Sequence, residues 1–109
     1  MGRNVILAGT KFENRPSIIR RHCHNGMKAL LKREPDNPYD PNAIAVFIEV
    51  PRLFGLLSKC PKKIGYIKAN TAKGLAKRMD GGLPIQARVI RIYDPPDRDY
   101  IEVALELDY

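Results

Sequence analysis

The sequence predicts a small, mainly β domain with two inserted helices, and a six-stranded antiparallel OB-like or SH3-like barrel is the favoured architecture. Its 109 residues suit one hydrophobic core, so we expect a single domain over residues 1–109. The β-rich segments follow one another too closely for βαβ crossovers throughout, which favours antiparallel pairing. The last segment alternates strictly, with Ile101, Val103, Leu105 and Leu107 on one face, as in a strand with one buried face.

The first half of the chain contains three predicted strands and one helix. A β-rich run over 5–9 is followed by a helix over 15–24, where Pro16 suits the first turn. Strands are then predicted over 27–33 and 43–50. Because both faces of the second of these are apolar, we expect it to be a central strand.

The second half begins with an irregular segment and ends with a predicted hairpin. Residues 51–61 are predicted as an irregular connection or hairpin tip, followed by a short strand over 63–67 and a helix over 68–80. In the strand over 84–93 the apolar side chains change face midway, which predicts either a β-bulge or a strongly coiled strand that crosses a barrel corner. A final strand is predicted over 99–107.

Charge is distributed unevenly along the chain. The net charge is +7, yet residues 94–109 hold six acids against one base, so the preceding residues carry +12. Such a bias attracts polyanions, and we favour nucleic acid over a basic protein without an anionic partner. Two cysteines give no disulfide framework, and no apolar run approaches the ~20 residues of a membrane span. A cytoplasmic protein, nucleoid-associated if bacterial, with no membrane partner is therefore expected.

The most informative segment is the loop over 37–43, Asn-Pro-Tyr-Asp-Pro-Asn-Ala. Its two prolines restrict the backbone, so Tyr39, Asp40 and Asn42 would be presented from a rigid turn. Such a loop costs little to order when a ligand binds. The alternative is a turn in which the Asp and Asn side chains only cap their own backbone.

Catalytic and metal-binding patterns are weak. His22, Cys23 and His24 are adjacent and cannot all face one ion, and no CxxC pair is present. Asp36 and Asp40 could bind a divalent cation, but the segment lacks the alternation of a calcium loop. We therefore expect no catalytic residues, no metal and no cofactor.

Basic and aromatic residues are interleaved, as single-stranded nucleic acid binding requires. Lys11 precedes Phe12 after the first strand, and Lys68 follows Tyr66 by two positions. With Tyr39, these side chains are expected to line a cationic cleft. In the alternative, Phe12 and Tyr66 pack in the core and the lysines of the second helix form a solvated face.

The segments 34–46, 64–67 and 72–76 together resemble the HIRAN family, and the resemblance extends over nearly the whole chain. This family is found at the N-termini of SNF2-type fork-remodelling helicases and also alone in bacteria and their viruses. The resemblance implies a modified OB-like barrel that binds DNA in a repair context. It also implies a helicase or nuclease acting in trans or fused to the domain.

The characterised helicase member captures a single-stranded DNA 3′ end, and its aromatic and acidic residues match Tyr39 and Asp40 here. The resemblance implies that Tyr39 packs on the last nucleotide and Asp40 accepts a hydrogen bond from the 3′-hydroxyl. Lys11 and Phe12 match an arginine–tyrosine pair, and Tyr66 stands where the helicase has histidine.

The expected function is non-enzymatic binding of single-stranded DNA, with recognition of the 3′-hydroxyl end, as a sensor or recruitment module. Asn42 matches a family asparagine that is expected to buttress the loop. The predicted DNA-binding residues are Lys11, Phe12, Tyr39, Asp40, Asn42, Tyr66 and Lys68. The alternatives are a protein-interaction or scaffold domain without DNA binding, and a metal-dependent nuclease built on Asp36 and Asp40.

Overall fold

The computed structural model describes residues 2–52, 57–98 and 100–109. The elements in chain order are β1 (Gly2–Ala8), α1 (Arg15–His22), β2 (Lys28–Arg33), β3 (Ile44–Arg52), β4 (Leu57–Ile67), α2 (Ala69–Asp80), β5 (Gln86–Tyr93) and β6 (Glu102–Asp108). Each corresponds to a segment predicted from the sequence. Neither described helix is long and apolar enough to cross a bilayer.

The strands form a closed antiparallel barrel in the order β1-β4-β3-β2-β5-β6, with β6 pairing back to β1. β1 pairs with β6 along most of its length and with β4 through Leu7 and Ala8. β2 likewise pairs with β5 through Lys28 and Ala29 and with β3 through its remaining residues. Because these two strands each belong to both halves of the sheet, they close the ring, and the predicted mainly β fold class is confirmed.

Aliphatic side chains fill the barrel interior. The largest fully buried ones on the strands are Ile44, Val46, Ile48, Ile64, Val89, Val103, Leu105 and Leu107. Both helices add to this core, α1 through Ile19 and α2 through Ala72, Leu75 and Ala76. Each fully buried Val, Leu or Ile side chain contributes about 1.5–3 kcal/mol, so the core fixes the strands from which the surface loops emerge.

Two strand predictions are confirmed in detail. The four inward positions predicted for the last strand are all buried. Between β5 and β6 the register shifts between Val89 and Arg91, so Ile90 is the extra residue of a bulge. The change of face in the sequence therefore corresponds to a bulge in the pairing of β5 with β6.

Some boundaries differ from the predicted ones. α1 ends at His22, because Cys23 is already extended. β3 continues through Arg52 and β4 starts at Leu57, although an irregular connection had been predicted there, and residues 53–56 lie outside the described residues. The register shift between Val50 and Arg52 falls at Pro51, and such a shift accommodates a residue that has no N–H to donate.

One glycine allows β4 to lie close to the end of β1. A Cβ added at Gly65 would lie 2.8 Å from the carbonyl oxygen of Ala8 and 3.2 Å from Thr10 Cγ2. Because any larger residue would push these strands apart, the glycine fixes the place where Tyr66 emerges beside the end of β1.

Candidate functional site

An open pocket of about 1080 Å³ lies where the end of β1, the start of α2 and the segment 34–43, here called the motif loop, come together. Its volume is slightly above the range that is typical of pockets for small organic ligands. The ionisable side chains that line it are Glu13, Arg15, Arg33, Glu34, Asp36, Tyr39, Asp40 and Tyr66.

The base of the motif loop is held by backbone and guanidinium hydrogen bonds. The N–H of Glu34 donates to the carbonyl oxygen of Ala43 at 2.9 Å. Arg33 donates to the same oxygen at 2.8 Å and to the carbonyl oxygen of Pro41 at 3.0 Å. The Nε of Arg33 also pairs with Asp80 in α2 at 2.9 Å. Arg33 therefore links the motif loop to the end of α2. All three nitrogen atoms of its guanidinium group already donate hydrogen bonds to the protein.

Within the loop, two side chains hold their own backbone. Asn37 Oδ1 accepts from the N–H groups of Tyr39 at 2.9 Å and Asp40 at 3.1 Å. Asp40 Oδ1 accepts from the N–H of Asn42 at 2.8 Å. The capping alternative considered for this loop is therefore realised, and it fixes the presentation of Tyr39, whose ring is 95% exposed. Within the described residues, Asp40 Oδ2 has no hydrogen-bond partner.

A half-buried carboxylate links the motif loop to β4. Glu34 Oε2 accepts from Lys63 Nζ at 2.9 Å, and Oε1 accepts from Tyr66 Oη at 2.8 Å and from Asn37 Nδ2 at 3.1 Å. Lys63 also donates to Tyr66 Oη at 2.7 Å. These four side chains form one hydrogen-bonded cluster, which we call the Glu34 cluster.

The Glu34 cluster stabilises the charged forms of its acid and its base. Burial alone would raise the pKa of Glu34, but the hydrogen bonds from Lys63, Asn37 and Tyr66 together lower this pKa below its usual value. Burial alone would lower the pKa of Lys63, but hydrogen bonds to Tyr66 and Glu34 raise this pKa instead. At neutral pH the cluster therefore contains an ion pair.

The side of the pocket next to β1 is built around a buried arginine. Arg15 donates to the carbonyl oxygen of Gly9 and to Glu13 Oε1, both at 2.8 Å. Its guanidinium lies 5.4 Å from the centre of the Tyr66 ring, within cation–π range. Glu13 has a φ of 57°, which is uncommon for a residue other than glycine. Arg15 thus orients the Tyr66 ring, while its guanidinium group donates hydrogen bonds to Gly9 and Glu13.

The structure brings four of the predicted binding residues to the pocket: Phe12, Tyr39, Asp40 and Tyr66. The other three, Lys11, Asn42 and Lys68, adjoin lining residues in sequence without lining the pocket themselves. Phe12 is 55% exposed, so its ring is available at the pocket edge instead of being packed in the core. The loop-supporting side-chain bonds come from Asn37 and Asp40, and Asn42 takes part through its backbone N–H.

The charge of the pocket differs from the cationic cleft that was expected. Four acids and two arginines line it. Both arginines are hydrogen-bonded to carboxylates and carbonyl oxygens of the protein. Exposed positive charge adjoins the pocket lining in sequence, at Lys11 and Lys68. A phosphate would therefore be attracted to the edge of the pocket and not to its interior.

Sequence reasoning did not single out Glu34, Arg33, Arg15 or Lys63 as site residues. The Glu34–Lys63 pair joins positions 29 residues apart. No local pattern predicts such a pair, although the position of Glu34 directly before the motif Pro35 could have drawn attention to it.

In the described part of the chain, the acids of the motif loop do not come together with other metal-ligating side chains. Among the described residues, no group of three or more His, Cys, Asp or Glu side chains is placed to hold a metal ion. One oxygen of Asp40 is already used by the N–H of Asn42.

A closed six-stranded barrel with a lateral pocket defines the class of this chain as a small β-barrel domain. A family model for the HIRAN domain matches residues 4–109, and the chain belongs to the HIRAN family. The resemblance noted in the sequence is thus confirmed.

Two solved structures are similar to this chain. The HIRAN domain of human HLTF has a TM-score of 0.65 at 22% identity, and the match covers 97% of this chain and 72% of that one. A protein from Lactobacillus plantarum has a TM-score of 0.65 at 26% identity, covering 97% of this chain and 92% of that one. A search of curated proteins found no match. These likenesses support the fold described above.

Proposed function

We propose that this domain binds the end of single-stranded DNA, recognises a free 3′-hydroxyl, and acts as a non-catalytic sensor or recruitment module. One observation carries the proposal: the exposed ring of Tyr39 and the unpartnered oxygen of Asp40 are presented side by side in sequence on a fixed loop at the pocket. Membership of the HIRAN family supports DNA as the ligand.

Two aromatic rings provide surfaces for unstacked bases. Tyr39 and Phe12 both line the pocket and are 95% and 55% exposed. Large apolar rings exposed beside a concave surface are typical of binding sites. Stacking of a base on such a ring contributes about 1–3 kcal/mol without sequence preference, which suits recognition of any terminal nucleotide.

The acidic lining favours an uncharged strand end. A 3′-hydroxyl can donate a hydrogen bond to Asp40, whereas a terminal phosphate would face its carboxylate. At 4 Å and an effective dielectric constant of 20, two like charges repel by about 4 kcal/mol before screening by salt. We infer that the terminal sugar enters the pocket while the internal phosphates stay near Lys11 and Lys68 at its edge.

Binding of labelled oligonucleotides measured by fluorescence anisotropy tests this function. We expect an oligonucleotide with a 3′-hydroxyl to bind at least about tenfold more tightly than its 3′-phosphate counterpart, a difference of about 1.4 kcal/mol. Affinity should fall steeply with salt, as for any ligand held through phosphates. A protein-interaction domain without a DNA site would bind neither oligonucleotide.

Substitutions at Asp40 separate its charge from its role in the loop. Asp40→Asn keeps an oxygen for the N–H of Asn42 and removes the negative charge, so it should bind hydroxyl and phosphate ends about equally. Asp36→Asn is the matched control, since it removes a neighbouring carboxylate that also lines the pocket. If Asp40→Asn keeps the wild-type ratio of affinities, the proposed recognition of the end is wrong.

The non-catalytic role has its own test. Incubation of the labelled DNA with the protein and Mg²⁺ or Mn²⁺ should leave the oligonucleotide intact. Cleavage that disappears in Asp36→Asn or Asp40→Asn would instead identify a nuclease.

A further inference from the structure

Helix α2 exposes a glycine whose presence is not explained by packing against any described part of the chain. Gly74 lies in the middle of the helix, and a Cβ added there would meet nothing within 4 Å. Glycine destabilises a helix interior relative to alanine, because it loses more backbone freedom on folding. No neighbouring segment among the described residues therefore requires a glycine at this position.

Positively charged side chains surround this glycine. Positions 70, 71, 77 and 78 are its helical neighbours three or four residues away. Of these, Lys77 and Arg78 are positively charged, and Lys73 precedes the glycine. We call the exposed residues Asn70, Lys73, Gly74 and Lys77 the α2 patch. Within the described residues, Lys73 and Lys77 form no ion pair, and Asp80, the one acid of α2, is bound to Arg33.

We propose that the α2 patch binds the sugar–phosphate backbone of duplex DNA that flanks the single-stranded end in the pocket. This inference rests on the proposed function and adds a second, separate contact to it. Lys73 and Lys77 would pair with phosphates, and the missing side chain at Gly74 lets the DNA backbone approach the helix closely.

The chemistry of the patch favours duplex over single-stranded DNA. It contains no aromatic ring, so it offers no platform for unstacked bases, in contrast to the pocket. Duplex DNA carries one charge per about 1.7 Å of axis, twice the linear density of one strand, so two unpaired lysines gain more from a duplex.

The position of the patch sets the length of the single-stranded segment. Ala69 lines the pocket at the start of α2. At 1.5 Å per residue, Lys73 and Lys77 lie about 6 Å and about 12 Å further along the helix axis. With about 3.4 Å per nucleotide, the junction with the duplex falls about two to four nucleotides from the 3′ end.

The test compares two DNA ligands that share the same 3′-hydroxyl end. One is a single strand, and the other is a duplex of about 12 base pairs with a 3′ tail of about three nucleotides. The variant Lys73→Ala/Lys77→Ala should lose about tenfold in affinity for the tailed duplex and reduce its salt slope by about two. Its affinity for the single strand should change less than about threefold.

Two further variants test whether binding of the tailed duplex depends on the location of the lysines and on the shape of the α2 patch, and not only on the net charge of the domain. Lys28→Ala/Lys32→Ala removes the same charge from the exposed face of β2 and should leave both affinities within about threefold of the wild type. Gly74→Leu keeps every charge and covers the exposed backbone, so it should weaken binding of the tailed duplex alone. Circular dichroism confirms that each variant is folded.

The outcomes distinguish this inference from the function on which it rests. If Lys73→Ala/Lys77→Ala loses no affinity, loses it equally for both ligands, or matches the β2 control, the α2 patch is not a duplex site. Equal binding of hydroxyl and phosphate ends by the wild type would overturn the end recognition instead. In that case a blunt duplex still shows whether the two lysines of α2 contact DNA.

Discussion

The substitution Glu34→Gln tests whether this carboxylate, at the start of the motif loop, holds the loop to β4. Glutamine retains one oxygen, which can still accept from Tyr66 Oη and Asn37 Nδ2. Its amide nitrogen would face the Lys63 ammonium, which now lies 2.9 Å from Glu34 Oε2. The ion pair is thus replaced by two hydrogen-bond donors that face each other, the glutamine amide and the Lys63 ammonium. The volume of the side chain is conserved.

The exposure of the pair sets the expected loss of stability. The Glu34 and Lys63 side chains are 24% and 29% exposed, so the pair is neither buried nor freely solvated. Exposed pairs contribute about 0–1 kcal/mol, and breaking a buried pair costs about 3–5 kcal/mol. We expect Glu34→Gln to lower the free energy of unfolding by about 1.5–2 kcal/mol, or about 6–8 °C in Tm.

A double-mutant cycle in urea measures this interaction directly. Glu34→Gln, Lys63→Met and the double variant should give a coupling energy of about 1–2 kcal/mol. The exposed pair of Arg88 and Glu106, 3.0 Å apart, is the matched control, and Glu106→Gln should cost less than about 0.5 kcal/mol. A coupling energy below about 0.3 kcal/mol would show that the Glu34 cluster does not support the fold as argued.

The pH dependence of the same stability difference gives an independent check. The pKa of Glu34 is lowered from 4.5, so its contribution is present above that value and is lost as pH falls through the lower folded pKa. The pKa of Lys63 is raised from 10.5, so its contribution is present below that value and is lost as pH rises through the raised pKa. The difference in free energy of unfolding between the wild type and Glu34→Gln should therefore stay constant around neutral pH and become smaller in acid.

Three smaller predictions follow from particular positions. Gly65→Ala should destabilise the fold by about 1–3 kcal/mol in thermal melts, because its Cβ would lie 2.8 Å from the carbonyl oxygen of Ala8; an unchanged Tm would contradict this contact. Gly74→Ala should stabilise by about 0.5–1 kcal/mol, and a fall in Tm would reveal a contact at that face. Burial raises the pKa of the Cys23 thiol to about 11. At pH 8 its alkylation, followed by peptide mass spectrometry, should be about 100-fold slower than in the urea-unfolded chain.

The parts of the fold that depend on local pattern could be predicted from the sequence. Strict alternation located the inward face of β6, and a change of face located the bulge at Ile90. Both signals arise because a strand places successive side chains on opposite faces. The extension of β3 to Arg52 was missed, because pairing with β4 and a register shift at Pro51 override the local preference of proline.

The candidate site could be predicted only in part, because some of its contacts are local in sequence and others join distant residues. The motif loop could be predicted from its own residues, because Asn37 and Asp40 accept hydrogen bonds from N–H groups two or three residues further along the chain. The supports of the loop are distant in sequence: Arg33 reaches Asp80, 47 residues away, and Glu34 reaches Lys63, 29 residues away. Such pairs depend on the barrel register and on the packing of α2, which no short segment encodes.

The division of charge between pocket and surface is the physical basis of the proposed selection of a strand end. Every internal position of a nucleic acid strand carries a phosphate, so attraction to the basic surface acts on all positions alike. The pocket is the exception, because its acids outnumber its arginines and both arginines are held by the protein. In the proposed mode of binding, a terminus without a phosphate would enter without repulsion from Asp40. Exposed lysines would thus supply affinity, and the acidic pocket would supply selectivity.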